Sequence, residues 1–167
     1  MRPDFRVLVL LLAGSCAVHA QLGPTDPDWK EAEAPPAPPV RTTGLIPLDI
    51  PRTALHFGVD PASVTLDQDG VVRYVVVATS DSGAVNAMYE GIRCATGDFK
   101  VYARHNPGSG WTVARDTPWR PLSEPSVSRH TILIARTGVC IGQGPNRSAS
   151  QIVRDLKAPV DRRFWNQ

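Results

Sequence analysis

Cysteine, surplus charge and long apolar runs are all scarce in this chain of 167 residues. Its three cysteines include no CxxC pair and no cysteine–histidine spacing suited to a tetrahedral zinc site. The histidines His56, His105 and His130 lie far apart, and pairing them with Asp60, Asp98 or Asp116 gives no local ligand spacing, so no metal and no cofactor is expected. A formal charge of +2, with Arg162-Arg163 as the one run of positive residues, excludes both a nucleic-acid-binding excess and an acidic tail. Val7-Leu-Val-Leu-Leu-Leu-Ala13 falls far short of the roughly 20 apolar residues of a spanning helix, and no later stretch comes close. Ser82 and Ser109 sit in glycine-containing loops but in no nucleophile elbow. Gly142-Gln-Gly144 is too short for a phosphate loop. There is no internal repeat.

The first twenty residues are the clearest positive signal. Arg2 and Arg6 precede the short apolar run, and Val18-His-Ala20 presents compact residues to a signal peptidase. That order predicts a secretory signal peptide over residues 1–20, cleaved before Gln21, and a periplasmic protein. Cys16 offers an alternative: lipidation there would anchor the chain to a membrane. Ala13 stands where a lipoprotein leader usually carries leucine, which weighs against it. In an oxidising compartment the remaining cysteines, Cys94 and Cys140, are expected to pair. The loop of about 45 residues so closed is worth roughly 4 kcal/mol in the chain-entropy picture.

Sixteen prolines cluster toward the front. Residues 21–42, with Pro35-Pro-Ala-Pro-Pro39, read as a flexible proline-rich leader, in which Trp29 is costly to leave wet and is free to dock back. Residues 43–160 read as one globular domain and 161–167 as a tail carrying Phe164-Trp165. Leu45-Ile-Pro-Leu-Asp-Ile50 suits an edge strand or a lead-in, because of Pro47. Ser63-Val-Thr-Leu66 and Val71-Val-Arg-Tyr-Val-Val-Val-Ala78 flank Asp69-Gly70, a hairpin signal. Residues 84–94, 99–104 and 111–113 complete an antiparallel meander of about five strands. Residues 129–138 fit a strand or a short buried helix ending at Gly138. Residues 148–157 fit a helix, with Ser148 and Gln151 spaced as a capping box and Pro159 beyond it. The fold class is α+β.

Asp69-Gly-Val-Val-Arg-Tyr74, Ala84-Val-Asn-Ala-Met-Tyr-Glu-Gly-Ile-Arg-Cys94 and Lys100-Val-Tyr-Ala103 resemble the cryptic neisserial protein-like family of exported bacterial proteins. Trp111, Trp119 and Arg129-His130 ahead of the second cysteine carry the same resemblance, which spans roughly residues 28–157. It implies a Gram-negative envelope protein and brings no established activity. Lipoprotein-type leaders are frequent among such proteins, and Ala13 departs from that pattern.

Candidate chemistry centres on two places. On an ideal strand Glu90, Ile92 and Cys94 share a face, so an inward Cys94 drags Glu90 inward unless a bulge at Gly91 resets the alternation. Glu90 and Arg93 either line a small polar site or form a structural pair, with Glu90 matched to Arg73 or Arg93. His130, beside Arg129 and near Glu124, is the other acid–base candidate. Trp111 and Trp119 flank Arg115, with Arg120 adjacent; they form a platform for a sugar or peptide, or else Trp111 is core and Trp119 covers a sheet edge. No catalytic set is assigned. The expected role is a non-catalytic binding module for an envelope protein or glycan, with no nucleic-acid partner and an open oligomeric state. The alternative is a hydrolase of an envelope polymer using Glu90 or His130.

Overall fold

The computed structural model describes residues 26–159. The signal-peptide cleavage site, Cys16 and Phe164-Trp165 lie outside the described residues. Strands β1 (Ile46–Leu48), β2 (Leu55–Val59), β3 (Thr65–Leu66), β4 (Val71–Ser80), β5 (Val85–Arg93), β6 (Asp98–Asn106), β7 (Gly110–Val113) and β8 (Arg120–Pro121) are followed by helix α1 (Arg129–Ile134). A π-helical turn (Ala135–Val139), the short strands β9 (Cys140–Ile141) and β10 (Gly144–Pro145) and helix α2 (Ala149–Leu156) follow within the described residues. This is the α+β architecture expected: one antiparallel sheet in the order β1-β2-β4-β5-β6-β7, with β3 extending beside β4 and β8 beside β6.

The β-branched run makes β4 the central strand, and Val71 through Ala78 are all buried. A strand buried on both faces needs a layer on each side. On one face Val72, Tyr74 and Val76 pack with Ile92, Phe99 and Val101 beneath Ile134, Val139, Ile152 and Leu156 of the helical layer. On the other, Val75 and Val77 pack with Ala87, Tyr89 and Ala103, covered by Ala37, Val40 and Leu45. The expected hairpin forms at residues 67–70, where Gly70 has φ +75° and its amide donates to the Asp67 carbonyl. Residues 129–138 resolve into α1 and the π turn. The Ser148 hydroxyl accepts from the Gln151 amide at 3.2 Å, capping α2. Cys94 and Cys140 form a disulfide with Cα atoms 5.6 Å apart.

Three features differ from the sequence reading. Strand β2 went unassigned, although Leu55, Phe57 and Val59 alternate; Gly58 obscures the pattern. That glycine is required by packing, since a Cβ there would lie 2.8 Å from the Leu45 Cβ. The bulge falls in β6 instead of at Gly91. Tyr89 faces Ala103 and Glu90 faces Val101, so Tyr102 is the extra residue. Last, residues 26–42 are not a loose leader but a strap across the second face of the sheet. Its residues Glu31, Ala34, Ala37 and Val40 are half-buried at intervals of three, the period of a polyproline helix.

Candidate functional site

With the alternation of β5 intact, Glu90 does enter the helix-covered core, 2 % exposed. Its partners are neither Arg73 nor Arg93, which belong to the opposite face. One carboxylate oxygen accepts from the Tyr74 hydroxyl at 2.8 Å and from Thr131 Oγ1 at 3.2 Å. The other lies 3.1 Å from His130 Nε2. His130 is 3 % exposed and stacks on Phe57, with ring centroids 5.0 Å apart. Burial pushes the Glu90 pKa up, but the charge and hydrogen bond of His130 and the hydroxyls of Tyr74 and Thr131 outweigh it, holding the carboxyl below its ordinary value. The same burial and the facing carboxylate raise the Tyr74 phenol well above its ordinary value. Both carboxylate oxygens are thus committed to protein partners inside the core, which joins α1 to β4 and β5.

The opposite face carries a different cluster, built by the strap. Glu31 receives three donors: the Tyr102 hydroxyl at 2.8 Å, Lys100 Nζ at 2.9 Å and Trp119 Nε1 at 3.0 Å. Burial raises its pKa, yet those three donors and the Lys100 charge together bring it below the ordinary value. Trp29 lies under Arg93, whose guanidinium carbon is 3.6 Å from the ring centroid, and meets Trp119 edge-on at 6.0 Å. The Trp29 indole N–H donates to the Asp69 carbonyl at 2.8 Å. Arg73, fully buried, is held by Asp67 at 2.6 Å and Asp69 at 2.8 Å and donates to the Ala32 carbonyl at 3.2 Å. Further along, Trp111 Nε1 donates to the Pro38 carbonyl at 2.8 Å. Gly91 makes room for this layer: a Cβ there would lie 2.7 Å from Tyr102 Cε2.

Between the strap and the β6–β7 hairpin runs a half-open groove of about 480 Å³. Pro35, Pro36 and Ala37 form one wall; Tyr102 and Trp111 line it opposite; Lys100, Asp116 and Thr117 supply polar groups. Asp116 has φ +52°, a left-handed conformation uncommon outside glycine.

The six residues singled out from sequence therefore divide four ways. Glu90 and His130 meet in the core. Arg93 and Trp119 lie under the strap against its Trp29 and Glu31, and Trp111 lines the groove. Arg115 is exposed and lies outside the groove lining. Arg120 turns to Glu124, with contacts of 2.6 and 2.9 Å. His56 pairs with Asp81 at 2.9 Å on the surface. Sequence reasoning missed Glu31, Lys100 and Tyr102, and weighed Asp116 only as a metal ligand. The three-residue spacing of Glu31, Ala34, Ala37 and Val40 was the available signal for the strap.

An antiparallel sheet with helices on one face and an ordered extended segment on the other, enclosing a surface groove, defines this as a strap-covered α+β domain. The chain belongs to the CNP1-like family, whose model matches residues 24–157. Neither a curated protein nor a solved structure matches it. Among the described residues no helix is long and apolar enough to cross a membrane.

Proposed function

We propose that this is an exported, periplasmic envelope module that binds a glycan segment in the groove between the proline strap and the β6–β7 hairpin, without catalysing a reaction. The observation that carries this reading is the groove itself. Aromatic surface from Tyr102 and Trp111 adjoins Lys100, Asp116 and Thr117, the combination that suits a sugar ring's apolar face and its hydroxyls. The signal-peptide pattern of residues 1–20 supports the location. The alternative hydrolase role finds less support, because Glu90 and His130 are enclosed in the core and each carboxylate oxygen is already bonded.

The test is a titration of the full mature chain with soluble peptidoglycan oligosaccharides, followed by tryptophan fluorescence and calorimetry. Saturable binding that is lost in a folded Trp111→Ala variant is the expected result. Binding that survives both Trp111→Ala and Asp116→Ala places the ligand elsewhere and refutes the groove. Release of shortened sugars on incubation would refute the non-catalytic part.

A further inference from the structure

We infer that the sheet face beneath the strap is a receptor for an extended, acid-bearing segment, and that a second copy of this chain can fill it by exchanging residues 26–42. This rests on the strap contacts and stands independently of what the groove binds. The face is a built site. Lys100, Tyr102 and Trp119 converge on one carboxylate, Arg93 covers one indole, and Trp111 receives one proline carbonyl. Those donors come from β5, β6, β7 and the segment before β8, whereas their acceptors all come from residues 29–38. The interface is therefore one between a folded body and a separable peptide. It has the grammar of peptide recognition: an aromatic-lined surface takes a proline-containing segment, and a cationic socket takes its acid.

The occupant shown to fit is this chain's own strap, which makes a second copy the partner of choice. Exchange preserves the contacts of residues 29–38 and changes which body receives them; the Arg41–Asp60 pair at 3.5 Å lies in the connection that re-aims. The connection that must re-aim is short. Arg41, Thr42, Thr43 and Gly44 are exposed, and Gly44 sits at φ +69° with nothing near its absent side chain. The tethered strap competes at an effective concentration of about millimolar, so dilute protein is closed on itself and crowded protein exchanges. In the exchanged dimer the Pro35–Ala37 wall of each groove comes from the other copy.

The test uses the full chain. A fluorescent peptide of residues 26–42 is titrated with wild type and with a Trp29→Ala, Glu31→Gln variant whose own strap is weakened. The peptide is expected to bind the variant at least about tenfold more tightly than wild type, and a Glu31→Gln peptide at least about tenfold more weakly than the native one. Should the double variant fail to fold, Glu31→Gln alone is read in the same way. No saturable binding to a folded variant, or equal binding of the two peptides, overturns the receptor. Native mass spectrometry of two isotopically distinct wild-type populations mixed at near-millimolar concentration tests the partner. Mixed dimers are expected. Peptide binding with no dimer at that concentration overturns the second copy as occupant and assigns the face to a strap-like acidic segment of another protein.

Discussion

Replacing Glu90 by alanine removes the acceptor shared by three buried donors. The Tyr74 hydroxyl, His130 and the Thr131 hydroxyl contact its carboxylate at 2.8, 3.1 and 3.2 Å. Both residues of the Glu90–His130 contact are at most 3 % exposed, so water cannot replace the lost acceptor without entering the core. Breaking one partner of such a buried pair costs about 3–5 kcal/mol. That is a large part of the roughly 5–15 kcal/mol that keeps a domain folded. With a urea m-value of about 2 kcal/mol/M, the midpoint should fall by about 1.5–2.5 M. Glu90→Gln keeps the shape and an acceptor oxygen while losing charge, and should cost about 1–3 kcal/mol. A double-mutant cycle with His130→Ala should return a coupling of at least about 1 kcal/mol, because the residues share one network. An alanine variant within about 0.5 kcal/mol of wild type would sink the reasoning, since surface substitutions behave that way and buried charge partners do not.

Gly91→Ala should cost about 1–3 kcal/mol in thermal or urea unfolding, because the new methyl meets Tyr102 Cε2 at 2.7 Å while Glu31 holds that ring by its hydroxyl. Replacing Cys94 and Cys140 together by alanine should lower stability by roughly 4 kcal/mol, read as a drop in urea midpoint; an unchanged midpoint contradicts the loop-closure account. Glu31 and Asp69 both titrate below their ordinary values in the folded protein, for although burial raises each, Lys100, Tyr102 and Trp119 on one and Arg73 with the Val71 and Ala32 amides on the other prevail. Their contribution is complete above the unfolded carboxyl range, near pH 4, and is lost as pH falls through the lowered folded values. Proteolytic cutting within residues 26–42 should thus stay constant from pH 8 to 5 and rise below about pH 4; a rise between pH 7 and 5 would contradict this assignment.

What was legible in the sequence was local. The β-branched run of β4, the Asp69-Gly70 hairpin and the Ser148 cap each depend on neighbours a few residues away, and each forms where expected. Alternation alone placed Glu90 on the inward face. Its partner was not legible, because His130 is brought there by α1 from 40 residues away. The alternative of a bulge at Gly91 does not form, for a related reason: the glycine answers the Tyr102 ring packed over it, and the irregularity lies on the neighbouring strand. The strap was read as loose because proline-rich composition says how a segment bends and nothing of what it lies against. Its anchors, from Glu31 to Lys100, Tyr102 and Trp119, span 69 to 88 residues.

That long span sets an order of assembly. Residues 29–38 leave the ribosome early, whereas Trp119, which completes the Glu31 socket, follows 88 residues after it. A chain made from its N-terminus carries the strap undocked through most of its synthesis. An undocked extended segment would ordinarily be a hazard as a free strand. Pro35, Pro36, Pro38 and Pro39 have no amide hydrogen to offer a foreign sheet edge, so the segment waits without a ladder to join. The prolines that suit it to its final layer also keep it apart from others until that layer exists.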